Sequence, residues 1–195
     1  MMLSKPIQYF SERLRRVFRG AMWLTLALTL GTSLPAAASS SPPLPVVTVG
    51  IADTFGNSMM YFDLSIPQVL NQPYYVSGQV VLTFPFPNSQ YAAGADIYFG
   101  VIMPGGTTVY TWSPNSSGSV TLSSGYAPIV RARSMLTPGT FNTSSVNAGS
   151  PIKYTFSGTE PKGLYLLFTF LVPTGTDPTN IQQWFSTTMQ PLFLK

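Results

Sequence analysis

The chain has no histidine and no cysteine in 195 residues. Serine–histidine triads and cysteine–histidine dyads are excluded, because both need an imidazole as general base. Zinc sites built from thiolates or imidazoles are excluded because the chain has neither kind of ligand. Without cysteine, no disulfide can form. We therefore expect neither a metal nor a cofactor, and a protein that is not an enzyme.

Acidic residues are scarce as well. Those that follow residue 38 are Asp53, Asp63, Asp96, Glu160 and Asp177. They are scattered singly, whereas a glycosidase needs two carboxyl groups about 5–9.5 Å apart, and calcium needs several converging oxygens. Asp63 and Asp96, both in predicted strands, are the best placed catalytic pair. The alternative, which we favour, is that each accepts hydrogen bonds from a nearby turn or faces solvent.

The N-terminal residues have the composition of an export signal. Half of the ten basic residues precede residue 20, a short apolar stretch follows over 21–34, and Ala36, Ala37 and Ala38 form a small-residue cleavage site. This pattern predicts a cleaved secretory signal over 1–38 and a secreted or periplasmic protein. A membrane anchor needs about 20 uninterrupted apolar residues, so we expect no membrane span after cleavage. Arg15 and Arg16 leave twin-arginine export open, although general secretion is favoured.

The charge that remains after this leader is balanced. Five basic residues, Arg131, Arg133, Lys153, Lys162 and Lys195, stand against the five acids. A neutral domain has no electrostatic footprint for nucleic acid. We expect no nucleic-acid partner.

The rest of the chain alternates short apolar runs with turn residues. Residues 39–45 (SSSPPLP) are typical of a tether, and 46–195 predict a single domain. Predicted strands are 46–52, 59–66, 73–86, 95–103, 107–112, 119–122, 128–135, 152–156, 163–172 and 191–195. Clusters of glycine, proline and asparagine separate most of them and predict turns. Such spacing is typical of an all-β, antiparallel sandwich.

One segment near the C-terminus predicts a short helix. Asp177 precedes Pro178, a combination that often begins a helix. Ile181, Trp184 and Phe185 then share one helical face. We expect Trp184 to close one end of the sandwich, with ligand stacking as its alternative role.

Two blocks of sequence resemble a known kind of module. Residues 95–106 (ADIYFGVIMPGG) and 163–178 (GLYLLFTFLVPTGTDP), followed by Trp184, are similar to an immunoglobulin-like β-sandwich module that recurs in secreted and periplasmic proteobacterial proteins. The resemblance implies an immunoglobulin-like fold and an envelope location. It carries no assigned activity.

Two predicted strands are apolar on both faces. In 163–172, Tyr165, Leu167 and Leu171 lie opposite a second apolar row, and 95–103 is similar. Either the chain's own segments cover the second face, or that face binds a partner.

The candidate binding surface is Tyr98, Trp112, Tyr165, Leu167 and Leu171. The expected function is protein–protein interaction or assembly at the bacterial cell envelope, with an envelope or extracellular protein as partner. The alternative is a carbohydrate-binding module with Tyr98, Trp112 or Tyr165 as an aromatic platform.

Overall fold

The computed structural model describes residues 43–195. The predicted signal peptide and residues 39–42 of the predicted tether lie outside the described residues. The strands are β1 (Val46–Ala52), β2 (Tyr61–Phe62), β3 (Pro73–Leu82), β4 (Ala95–Ile102), β5 (Val109–Pro114), β6 (Val120–Ser124), β7 (Val130–Arg133), β8 (Gly139–Asn142), β9 (Ile152–Thr155), β10 (Gly163–Pro173) and β11 (Phe185–Leu194). One short helix, α1 (Thr143–Val146), and two 3-10 helices (Ser89–Tyr91 and Ile181–Gln183) complete the description. The fold is all-β, as predicted.

The small sheet has four strands. β1 pairs antiparallel with one side of β3, while β8 and β9 share the other side, one after the other. Between their two pairings, the Gly78 amide donates instead to the Thr143 hydroxyl, at 3.1 Å. Thr143 begins α1, so this helix fills the gap in the ladder.

The large sheet has seven strands in the order β2–β11–β10–β4–β5–β6, and β7 pairs with the beginning of β4. β2 runs parallel to β11, and the other pairs are antiparallel. β4 and β10 lie at its centre. Because β4 and most of β10 are covered on both faces, their sequences show no alternation of apolar and polar residues.

The two sheets share one hydrophobic core. It includes Val76 and Val80 from β3, Phe99 from β4, and Leu167 and Leu171 from β10. The sheets approach each other closely at Gly78, because a Cβ there would lie 2.7 Å from the Thr169 hydroxyl and 2.9 Å from the Phe99 ring. A side chain at this position would push the sheets apart.

The helix predicted near the C-terminus is wrong. The Asp177 carboxylate accepts from the amide and hydroxyl of Thr179 and so closes a local turn. Only a 3-10 turn follows, at Ile181–Gln183, and the Asn180 side chain caps it. Phe185 begins β11, and the short α-helix lies at Thr143–Val146 instead.

Candidate functional site

The outer face of the large sheet carries a second apolar cluster, separate from the shared core. Tyr98, Phe168, Phe170 and Val172 are buried there. Phe170 is sandwiched between two rings, with Tyr98 at 5.0 Å and Trp184 at 3.9 Å, both nearly parallel to it. The chain itself therefore covers this end of the outer face.

Trp184 is held over this cluster by the loop between β10 and β11. Its indole N–H donates to the Pro178 carbonyl at 2.7 Å. Asp177 and Asn180 fix the same loop through their side-chain hydrogen bonds. Trp184 is thus a half-buried cover of the outer face, rather than the end plug that the sequence predicts.

The five residues predicted to form a binding surface are all buried, with 0–6% of each exposed. Tyr165, Leu167 and Leu171 belong to the core between the sheets. Tyr98 lies under Phe170 and Tyr126, and Trp112 stacks on Phe99 at 4.8 Å. A binding surface needs exposed side chains, and these five are not exposed in the folded chain. The chain's own segments occupy the space that a partner would need.

The exposed part of the outer face lies at the other end of β10. Cross-strand pairs place Leu164 opposite Phe193, Leu166 opposite Pro191 and Phe168 opposite Met189, while Phe193 adjoins Tyr61 of β2. The Tyr61 and Phe193 rings stack at 6.0 Å. We name as the open patch the exposed members of this set: Tyr61, Leu164, Met189, Pro191 and Phe193.

Sequence reasoning missed the open patch for a physical reason. Both faces of β10 are apolar, so the alternation that normally separates inside from outside is absent. The patch depends on the pairing of 191–195 with 163–172, which brings Phe193 beside Leu164. The sequence predicts both strands but gives neither their pairing nor its register.

A polar depression of about 620 Å³ lies beside Trp184. Four amide side chains and three aromatic rings contribute to its lining, namely Gln90, Asn180, Gln182, Gln183, Tyr91, Trp184 and Phe185. Amides beside aromatic rings can hydrogen-bond and stack against a polar ligand at once.

A second, apolar cavity of about 230 Å³ lies inside the fold. Residues from both sheets line it, and they are Ile51, Val76, Val101, Met103, Tyr110, Trp112, Leu122, Tyr154, Phe156, Tyr165, Leu167 and Leu192. Protein interiors rarely contain voids larger than a water molecule.

Near this cavity, a tight turn holds Glu160. The carboxylate accepts from the Ser157 and Gly158 amides and from the Tyr154 hydroxyl. Partial burial acts to raise the pKa of Glu160, but the hydrogen bonds from Ser157 and Gly158 outweigh it and hold that pKa below its ordinary value. The Tyr165 hydroxyl donates to the Pro161 carbonyl, and burial raises the pKa of Tyr165 to about 12.

Asp63 and Asp96 each have separate local partners. Asp96 is buried and accepts from the Ala132 amide at 2.8 Å and the Thr174 hydroxyl at 2.9 Å. Asp63 accepts from Ser65, whose hydroxyl lowers the pKa of the Asp63 carboxyl. Within residues 43–195, no three side chains among His, Cys, Asp and Glu come together as metal ligands.

No family model, curated protein or solved structure matches this chain. Among the residues that the structure describes, no helix is both long enough and apolar enough to cross a bilayer.

Proposed function

We propose that this chain is a secreted, non-enzymatic binding protein of the bacterial cell envelope, with an immunoglobulin-like sandwich fold and a protein as its partner. The open patch is the observation that carries the proposal. Monomeric proteins seldom expose large contiguous apolar surface. Tyr, Phe and Met, which make up most of the patch, are enriched at protein interfaces.

The strand order supports the immunoglobulin-like fold. In such domains the order is A–B–E in one sheet and G–F–C in the other, with C′ and C″ added in variable domains. Here β1–β3–β8/β9 follows the first order, and β11–β10–β4–β5–β6 follows the second.

Two local features point the same way. The Tyr165 hydroxyl near the start of β10 donates to the backbone four residues earlier, as the tyrosine corner of strand F does in immunoglobulin domains. Gly78 and Thr169 face each other beside Phe99. Antibody domains have an inter-sheet disulfide beside a tryptophan at the corresponding strands.

The shape and chemistry of the open patch favour a protein over a glycan. Its side chains lie on three adjacent strands of one sheet face, and most of them have no polar group. A sugar needs hydrogen-bonding groups beside the rings, because its hydroxyls otherwise lose water without replacement. A protein partner with its own apolar surface meets no such penalty.

Site-specific photo-crosslinking in the native cell tests this proposal. A photo-reactive side chain at Leu164 should capture a defined envelope protein, while one at Leu136, which is exposed outside the patch, should not. Phe193→Asp should abolish the capture, and the purified partner should bind the wild-type chain but not this variant. Equal capture from Leu164 and Leu136, or capture that survives Phe193→Asp, would show that the patch does not bind. Capture of a second copy alone would mean self-assembly.

The polar depression beside Trp184 supports carbohydrate binding as a second candidate. Calorimetric titration with oligosaccharides, such as maltohexaose and chitohexaose, tests it. Binding should be lost in Gln182→Ala and kept in Ile181→Ala, an exposed neighbour on the same turn. Absence of binding across a broad glycan panel would remove this candidate.

A further inference from the structure

We propose that the apolar cavity between the two sheets binds a small uncharged apolar molecule, with one aromatic ring or a short alkyl chain. This site is independent of the open patch, because the cavity residues face the interior and the patch residues face outward. It adds a small-molecule ligand to a chain whose other proposed contact is with a protein.

The volume of the cavity sets the size of the ligand. An engineered cavity of about 150 Å³ lined by apolar side chains binds benzene, and drug-sized ligands occupy pockets of about 300–1,000 Å³. At about 230 Å³ this cavity lies between the two. A single ring with a short substituent fits that volume.

The lining sets the chemistry of the ligand. None of the lining residues carries a charge. The hydroxyls of Tyr154 and Tyr165 are already engaged by Glu160 and by the Pro161 carbonyl. A charged ligand would lose its hydration with no opposite charge in return, whereas an apolar one gains by leaving water.

The burial of the lining indicates where a ligand enters. Most of it is buried, but Met103, Tyr110, Leu122 and Tyr154 are half-buried. Tyr110 and Leu122 lie on β5 and β6 at one edge of the large sheet, and Tyr154 lies on β9 of the small sheet. The mouth therefore opens between these strands. Met103 is an unbranched side chain that can move aside there.

Titration with toluene, followed by NMR of the tryptophan indole N–H groups, tests this site. The resonance of Trp112, which lines the cavity, should shift and saturate, while that of Trp184 on the outer face should not. The Tm should rise with toluene concentration, because a ligand that binds only the folded state stabilises it. Methanol and benzoate, one polar and one charged, should produce neither effect.

Variants that fill the cavity or its mouth complete the test. Leu167→Phe places an aromatic ring in the cavity lining. Leu122→Trp puts a larger side chain at the half-buried mouth and narrows it. Each folded variant should lose the toluene-dependent shift of Trp112 and the rise in Tm, whereas Leu136→Phe on the exposed surface should keep both. If Leu167→Phe fails to fold, Leu122→Trp decides. The proposal is overturned by an unsaturable or absent shift, by equal shifts of Trp112 and Trp184, or by undiminished binding in the mouth variant.

Discussion

Thr169 and Thr111 are both fully buried threonines of the large sheet, but their hydroxyls differ. Thr111 donates to the Gly125 carbonyl and accepts from the Ala127 amide. The Thr169 hydroxyl is the one buried side-chain polar atom between residues 43 and 195 with no hydrogen-bond partner. An unpaired buried hydroxyl lowers stability, whereas a paired one does not.

We expect Thr169→Val to raise the free energy of unfolding by about 1 kcal/mol. The substitution replaces an unpaired buried hydroxyl with a methyl group of nearly the same shape. The matched control, Thr111→Val, should lower it by about 1–3 kcal/mol, since the Ala127 amide then loses its acceptor. Urea denaturation of both variants measures the difference. Equal destabilisation by the two substitutions would contradict this account.

Gly100 lies where the Phe168 ring crosses β4. A Cβ there would lie 2.3 Å from the Tyr110 carbonyl oxygen and 2.6 Å from the end of the Phe168 ring. The carbonyl belongs to the backbone and cannot rotate away. We therefore expect Gly100→Ala to cost at least about 3 kcal/mol, the upper end for an overpacked core.

Gly50 on β1 offers a control for this substitution. Its nearest neighbour would be the flexible Gln190 side chain, at 3.3 Å. Gly50→Ala should change the free energy of unfolding by less than about 1 kcal/mol, as at an ordinary surface site. Thermal unfolding of the two variants side by side checks the contrast, and similar Tm values would contradict it.

At the scale of elements, the turn between β9 and β10 depends on an ionised Glu160. Its pKa is lower in the folded chain than the ordinary 4.5. The stabilisation is therefore complete above that ordinary value and is lost as the pH falls through the lower folded pKa. Glu160→Gln should lose less stability than the wild type on acidification from about pH 7 to about pH 3. Urea midpoints at both pH values measure this, and parallel losses would count against it.

Most strands could be predicted from the sequence, because β-branched and aromatic runs alternate with glycine and proline. The predicted start and end of β1 match the structure, and β4 and β10 differ from prediction by one residue. β8 was not predicted, since Pro138 followed by Gly139 is typical of a turn. Its pairing with β3 overrides that local preference.

The predicted helix failed because Asp177 and Pro178 begin a turn as readily as a helix. Whether this segment forms a turn or a helix depends on the position of Trp184. The Phe170 ring and the Pro178 carbonyl hold Trp184 in place. These contacts join parts of the chain that the sequence pattern cannot pair. The sequence could not show which side chains of β10 are exposed for a similar reason, since its two apolar faces give no sign of which one the small sheet covers.

At the scale of the whole molecule, the leader remains a prediction. We expect cleavage just before Ser39, within about two residues, because Ala36, Ala37 and Ala38 follow a basic and then an apolar region. The intact mass of the exported protein measures the cleavage point. A product that retains the apolar stretch over 22–30 would contradict secretion and indicate an anchored protein.

The position of β10 beside β4 has a consequence for how fast this protein folds. Thr169 pairs with Phe99, so partners 70 residues apart must meet before the centre of the large sheet exists. Closing such a loop loses chain entropy before the strand contacts that offset this loss can form. We expect refolding in milliseconds to seconds, as for other proteins dominated by distant strand pairs. Until β10 docks, the apolar faces of β4 stay open to water and to other unfolded chains.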